Sequence, residues 1–317
     1  MIPLPLIAGA AAIAAGGLAL FSRGAARRAE RLVPMDGEII EVEGNRLHYV
    51  DKGSGPALVM IHGLGGQMRN FARPLVDDLA RDHRVVLVDR PGSGYSLRGA
   101  GASASLSAQA AAIAGLIRAL GLERPMLVGH SLGGAVSLTL ALEQPDCVGS
   151  LALIAPLTQD ESDAPDVFKS LEIRSPLVRR LIANSIAVPM AMAMREKAMK
   201  MVFGPEPVPA DFGTEGGGLL GARPGNFYET SSDLVALENQ MPALVARYGE
   251  IAVPASILYG DGDRLLDPER HGRITAGQID GARLEIVPGG HMLPFTQPEL
   301  TARWLREAEA QALDEDA

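Results

Sequence analysis

One serine in this chain stands where its hydroxyl could act as a nucleophile. The run Leu127-Val128-Gly129-His130-Ser131-Leu132-Gly133-Gly134 joins an apolar, strand-like segment, Pro125 to Val128, to a helix-like pattern from Gly134 to Glu143. Gly-X-Ser-X-Gly between a strand and a helix is the pattern of a sharp turn that leaves the serine Oγ clear of the backbone. Glycine is needed at 129 and 133 because the turn forces the serine into a sparsely populated conformation. Neighbouring Cβ atoms there would strike the adjacent strand and helix. The helix behind the serine directs its partial positive charge at the reacting centre. The chemistry is attack on a carbonyl-like carbon. Because the chain carries 36 glycines, such a motif can also arise by chance, so its meaning depends on a base and an acid elsewhere.

The chain offers six histidines. His48 falls in an early strand, His62 opens the loop after the third strand, His83 precedes a strand, His130 adjoins the serine, and His271 falls on a helix. His291 alone follows the last strand, in Pro288-Gly289-Gly290-His291. In the chain order nucleophile, acid, base it is the candidate general base. The acid is expected after the penultimate strand, in Tyr259-Gly260-Asp261-Gly262-Asp263. The Gly-X-X-Asp spacing favours Asp263; Asp261 and Asp267 are alternatives whose ordinary role would be turn formation. An acid there holds the imidazole in one tautomer and stabilises the imidazolium. Negative charge develops on the substrate oxygen, so backbone donors must face it. The backbone N–H groups of Leu64, in His62-Gly63-Leu64-Gly65-Gly66, and of Leu132 are assigned to that oxyanion hole. His62 itself is read as a hydrogen bonder that shapes the loop. Asp89-Arg90-Pro91-Gly92-Ser93-Gly94-Tyr95-Ser96 lacks the Walker lysine and the full dinucleotide fingerprint and is read as a turn after the fourth strand.

These residues need a scaffold, and the apolar pattern supplies one. Strand signals lie at Glu38 to Val42, Arg46 to Asp51, Ala57 to Ile61, Arg84 to Asp89, Pro125 to Val128, Ser150 to Ile154, Ala255 to Tyr259 and Arg283 to Val287. Helical patterns, among them Ser107 to Leu120 and a last helix from about Gln297, alternate with them. Alternating strands and helices predict an α/β architecture, a mostly parallel sheet covered on both faces. Thr296 and Glu299 have the spacing of a capping box for the last helix. Between Pro156 and Pro254 the alternation stops and helical patterns take over, which predicts a helical lid inserted after the sixth strand. Its Met190, Met192, Met194, Met199 and Met201 suit either helix packing or an adaptable acyl-chain tunnel. Its Gly-rich stretch, 215–221, is expected to be irregular, a hinge or a surface loop. The domain reading is residues 1–34, anchor and basic linker; 35–155, first part of the core; 156–254, lid; and 255–317, second part of the core.

Ile2 to Phe21 carries no charge and is followed by Arg23, Arg27, Arg28 and Arg31. As a helix it would measure about 30 Å, the thickness of a bilayer core. The arginines follow the apolar stretch instead of preceding it, which favours an uncleaved single-pass membrane anchor over a signal peptide or a loosely associated helix. The positive-inside rule would then put the catalytic body on the cytoplasmic side. A formal net charge of −9 and the lack of a basic stripe argue against a nucleic-acid partner. Cys147 is the single cysteine, so no internal disulfide can form. No Cys/His metal spacing occurs, and neither a metal nor a cofactor is expected.

Taken together, the blocks His62-Gly63, Asp89-Arg90-Pro91-Gly92-Ser93-Gly94, Gly129-His130-Ser131-Leu132-Gly133, Gly260-Asp261-Gly262-Asp263 and Gly289-Gly290-His291 make the chain resemble the α/β-hydrolase superfamily from about Ile39 to Leu305. Within it, the chain is similar to serine esterases and monoacylglycerol lipases with a helical lid. That resemblance implies the α/β-hydrolase fold and Ser131, Asp263 and His291 as a catalytic triad. It also implies hydrolysis of small-molecule carboxylic esters or lipids, medium acyl esters or monoacylglycerols, through an acyl-enzyme. Carbon–carbon bond hydrolases of aromatic degradation and cofactor-free haloperoxidases use the same residues and stay open as alternatives. Epoxide hydrolases and haloalkane dehalogenases need a carboxylate where this chain has Ser131. A non-enzymatic scaffold is at odds with the intact set of three residues.

Overall fold

The computed structural model describes residues 4–160, 166–238 and 240–315; Ile2 and Pro3 of the charge-free stretch, 161–165 and Asn239 of the insertion and the last two residues lie outside them. Eight strands, β1 (Glu38–Val42), β2 (Asn45–Gly53), β3 (Ala57–Ile61), β4 (Arg84–Val88), β5 (Met126–His130), β6 (Ser150–Ile154), β7 (Ala255–Gly260) and β8 (Arg283–Val287), form one sheet. Their order is β1-β2-β4-β3-β5-β6-β7-β8. β1 and β2, and β2 and β4, pair antiparallel; all later pairs are parallel. The expected strand positions hold to within two residues.

The helices are α1 (Leu4–Leu32), α2 (Arg73–Leu79), α3 (Leu106–Ala119), α4 (Leu132–Glu143), α5 (Asp166–Lys169), α6 (Pro176–Ala183), α7 (Ala187–Phe203), α8 (Pro224–Leu237), α9 (Met241–Val245), α10 (Leu293–Thr296) and α11 (Pro298–Glu315). Alternate residues of a strand point to opposite faces, and β3 shows the consequence. Val59 and Ile61 join the core under α3 and α4, while Leu58 and Met60 join the core under α2 and α11. β3 lies between β4 and β5, so the strand order reverses beside it. A crevice opens beyond the carboxyl ends of strands at such a reversal, and ligands of open α/β sheets bind there. The loops after β3 and β5 are the two that carry the His62-Gly63 and Ser131 blocks.

Several expectations need correction. The arginines at 23, 27, 28 and 31 belong to the C-terminal turns of α1, not to a separate linker. There Ala29 and Val33 pack on Leu220 of the insertion. Helix length and hydropathy leave the expected anchor to the sequence: among the described residues no single helix is long and apolar enough to cross a membrane, and α6 and α7 pass only as a pair bent by 76°. Part of the Gly-rich stretch is regular, forming a 3-10 turn at Gly218–Ala222, and the Gly216 carbonyl accepts from Gln67 and Asn70. Met190, Met192 and Met194 are exposed on α7, neither core nor tunnel, while Met199 packs with Phe203, Phe212 and Met292. Thr296 does not form the expected capping box: it belongs to α10, and its hydroxyl donates to the Met292 carbonyl and Glu206.

α11 is tied to the turn before β4 by charge as well as by packing. Arg306 donates to Asp78 and Asp82, and the His83 ring meets Asp82 at 2.9 Å and Glu309 of α11 at 2.9 Å. Burial pushes the His83 imidazole down, but the bonds to Glu309 and Asp82 outweigh it and leave the pKa above the usual 6.5. A histidine whose pKa is raised by folding stabilises fully below the unfolded value and less as pH rises through the folded one. Urea midpoints are therefore expected to fall as pH rises above about 6.5, and His83→Gln should flatten that fall; an identical slope in the variant would contradict the role given to His83.

Candidate active site

The nucleophile turn is built by close backbone contact. Ser131 has φ +54° and ψ −122°, a region costing about 1–3 kcal/mol for a residue with a side chain. Its N–H donates to the Ile154 carbonyl at 3.1 Å, and its carbonyl accepts from Gly134 at 2.8 Å and Leu157 at 2.9 Å. Three bonds at about 0.5–1.5 kcal/mol each offset the strain. A Cβ on Gly133 would lie 1.9 Å from the Ile61 carbonyl oxygen, and one on Gly129 2.7 Å from Gly133 and Gly134 backbone atoms. Bare backbone at 133 thus lets α4 start against the end of β3. α4 begins at Leu132, two residues before the sequence pattern suggested, so the Leu132 N–H is among the unpaired donors of its first turn.

Asp263 and His291 come together as expected. Asp263 Oδ2 lies 2.7 Å from His291 Nδ1, and both side chains are buried. A carboxylate can only accept, so Nδ1 carries the proton and Nε2 is left as the basic nitrogen. Asp263 Oδ1 accepts from Leu265 at 2.8 Å and Leu266 at 3.1 Å. Burial pushes the Asp263 carboxyl up, but the His291 ring and these donors outweigh it and hold the group below the ordinary carboxylate value. The rejected aspartates shape turns: Asp261 accepts from Gly289, and Asp267 from Glu269.

Ser131 and His291 line one cavity of about 120 Å³ with Leu64 and Leu132. Among the described residues no hydrogen bond joins the Ser131 hydroxyl to the His291 imidazole; catalytic hydrogen bonds of this kind often tighten only when substrate binds. Gly63 stands against the serine, its Cβ position 3.2 Å from Oγ, which puts the Gly63–Leu64 peptide beside the hydroxyl. The remaining walls are apolar at Leu157, Phe168, Leu234, Leu237, Met241, Leu265 and Leu266 and polar at Gln159, Asp160, Glu172 and Glu238.

Two further histidines hold this arrangement, a part the sequence reading gave to His62 alone. His62 is buried, and its Nδ1 donates to the Gly63 carbonyl at 2.8 Å while Nε2 accepts from Arg90 N–H at 3.0 Å. Burial, with the Arg90 charge, pushes its pKa down to about 3. His130 donates from Nε2 to the His291 carbonyl at 2.9 Å, and burial, with the His291 ring, pushes it down to about 3. Both stay neutral and serve as props. The Asp89–Ser96 block is a turn, as expected, but its Asp89 and Arg90 are buried anchors. Asp89 accepts from Met68, Tyr95 and His48. Glu206 of the insertion accepts from Gly290 N–H at 3.2 Å, one residue before His291. Only the charged pair next to proline hinted at these roles; nothing local marked Glu206.

An α/β sheet with a strained serine turn and an Asp–His pair opening on one cavity is the framework of a hydrolase. The α/β-hydrolase-fold family matches residues 56–298, and the chain belongs to that family. It is 30% identical over 265 residues to a 2-hydroxy-6-oxononadienedioate/2-hydroxy-6-oxononatrienedioate hydrolase of Pseudomonas putida, covering 80% of this chain and 88% of the relative. It is 32% identical over 232 residues to the dihydrolipoyllysine-residue acetyltransferase component of the acetoin cleaving system of Cupriavidus necator, covering 69% of this chain but only 61% of that protein. Among solved structures, a membrane phospholipase A superimposes with a TM-score of 0.64 at 24% identity, covering 98% of this chain and 96% of the other.

The geometry makes the turn intolerant of bulk. Gly133→Ala is expected to cost about 3 kcal/mol or more, by forcing α4 off β3; a urea midpoint equal to wild type would contradict the contact.

Proposed function

We propose that the protein is a serine hydrolase cleaving carboxylic esters through an acyl-enzyme, with Ser131 as nucleophile, His291 as base and Asp263 as orienting acid. The observation that carries the reading is that Ser131, the Asp263-bound His291, Leu64 and Leu132 line one cavity. His291 Nε2 takes the proton as Ser131 Oγ attacks the ester carbon, and the carbonyl π electrons move to oxygen. The N–H groups of Leu64 and Leu132 receive that oxyanion. Its collapse expels the alcohol, which leaves with the proton from His291. Water then attacks the acyl-enzyme, giving a proton to His291, and the acid and free Ser131 are released.

The lining favours esters over the carbon–carbon bond reading. A dienedioate of the kind named for the Pseudomonas putida relative carries two carboxylates, and such a ligand needs cationic partners when desolvated. The described residues lining this cavity include no cation and three acids, Asp160, Glu172 and Glu238. Neutral esters suit it better. A cavity of about 150 Å³ takes a benzene-sized group, so 120 Å³ fits a modest acyl chain, and a long-chain monoacylglycerol would need the insertion to open as a lid.

The reading extends to location. The charge-free Ile2–Phe21 stretch, followed by the exposed Arg23, Arg27, Arg28 and Arg31, supports attachment of α1 to a membrane with the catalytic body on the cytoplasmic side. Exposed Leu177, Leu181, Ile186 and Met192 on and between α6 and α7 would add a second apolar contact.

Hydrolysis of p-nitrophenyl esters is expected to peak among short and medium acyl chains, and Ser131→Ala should abolish it together with fluorophosphonate labelling. Asp263→Asn should lower kcat by up to about 10⁴-fold, and Asp261→Asn far less. Preferential cleavage of a vinylogous diketone, or the reverse ranking of the two aspartates, would overturn the assignment. For location, the full chain is expected to resist carbonate extraction from membranes and to be protected from external protease in spheroplasts; full release by carbonate would contradict attachment.

A further inference from the structure

The helical insertion reaches the oxyanion loop through one buried ionic contact that the steps above do not use. Arg90 is fully buried. Its Nε donates to the His62 carbonyl at 2.9 Å and its Nη2 to the Gly63 carbonyl at 2.9 Å. Its remaining nitrogen, Nη1, donates to Gln109 and, at 2.7 Å, to Oδ2 of Asp233. Asp233 lies on α8, and its side chain is 1% exposed. Its other oxygen accepts from Arg98, which also holds Glu229, one turn earlier on α8, at 2.7 Å. One carboxylate of the insertion is therefore the shared counterion of two buried arginines.

The Gly63 carbonyl matters because it shares a peptide unit with the Leu64 N–H. In a trans peptide the two point in opposite directions. Arg90 Nη2 and His62 Nδ1 draw the carbonyl to one side, so the N–H is aimed to the other. Rotating that unit would replace a donor at the oxyanion position with a carbonyl dipole of the wrong sign. His62 is neutral and adjoins the same unit, so the charged grip comes from Arg90. Arg90 in turn is fixed by its ionic partner: with Asp233 neutral, the fully buried Arg90 guanidinium would keep only the His62 and Gly63 carbonyls and the Gln109 amide, with no carboxylate among its partners. Breaking one side of such a buried pair leaves an uncompensated charge that draws in water or shifts the side chain.

We propose that Asp233 is a positioning residue for the hydrolytic reaction. Through Arg90 it holds the Gly63–Leu64 peptide in the orientation that stabilises the oxyanion, so the seating of α8 sets the competence of the site. The inference rests on the serine-hydrolase reading above.

The test compares wild type and Asp233→Asn, counting functional sites by fluorophosphonate titration. Per titrated site, kcat on p-nitrophenyl butyrate is expected to fall about 10–100-fold, less than the 10²–10³ of a donor wholly lost, with KM within about twofold. Affinity for a trifluoromethyl ketone, whose adduct with Ser131 carries an oxyanion, should fall by the same factor. Affinity for the unreactive ether of the same shape should not change, because only transition-state-like charge feels the hole. If Asp233→Asn does not fold, Asp233→Glu, which keeps the charge and moves the oxygens, is read by the same ratios. Wild-type kcat per site with unchanged ketone affinity would overturn the inference, as would equal losses for ketone and ether. Failure of wild type itself to titrate at Ser131 would instead remove the underlying serine-hydrolase reading.

Discussion

Backbone against backbone, at the point where α4 begins on the end of β3, is the contact on which the rest of this structure depends. Gly133 sits so close to the Ile61 carbonyl that no side chain fits between them. That approach brings the serine turn alongside the loop after β3, and hence the Ser131 hydroxyl beside the Gly63–Leu64 peptide. It also holds Ser131 at φ +54°, in a conformation a free chain would leave. Strain and proximity have one origin: two parallel strands on either side of a reversal in strand order, each ending at the same crevice.

Around that contact several buried ionisable side chains have fixed partners. Asp263 meets His291, Asp89 meets His48, and Arg90 meets Asp233. Each pair has a backbone target: the Leu265 and Leu266 N–H groups, the Met68 and Tyr95 N–H groups, and the His62 and Gly63 carbonyls respectively. An ion taken out of water costs several kcal/mol, and pairing alone rarely returns it. Further hydrogen bonds to fixed backbone groups make up the difference and fix loop shape at the same time. Neutral His62 and His130 perform the same task without charge, which burial would not allow them to keep.

Much of this was legible in the amino-acid sequence because the signals were local. Apolar runs marked the strands, and glycine spacing marked the turn at Ser131. The place of His291 after the last strand and of Asp263 after the one before it marked the pair that the fold brings to 2.7 Å. What was not legible depends on distance along the chain. Arg90 and Asp233 are 143 residues apart, and no pattern around either announces the other. The methionines of α7 misled because a helix that packs on one face can repeat the same residue on its exposed face. Thr296 had capping-box spacing, but α10 had already claimed it and Glu206 its hydroxyl. The arginines after Phe21 look like a linker because a charge run signals solvent; they are solvated, but on the outer side of a helix whose Ala29 is buried.

If Ser131, His291 and the Leu64 and Leu132 N–H groups surround one reacting carbon, a crystal structure of the protein after reaction with a phosphonate ester will show all four around the phosphorus. The expected adduct has a covalent bond from Ser131 Oγ to phosphorus, with the phosphoryl oxygen within about 3 Å of both backbone nitrogens and His291 Nε2 turned toward the leaving-group side. An adduct on another residue, or a phosphoryl oxygen directed away from Leu64 and Leu132, would contradict it.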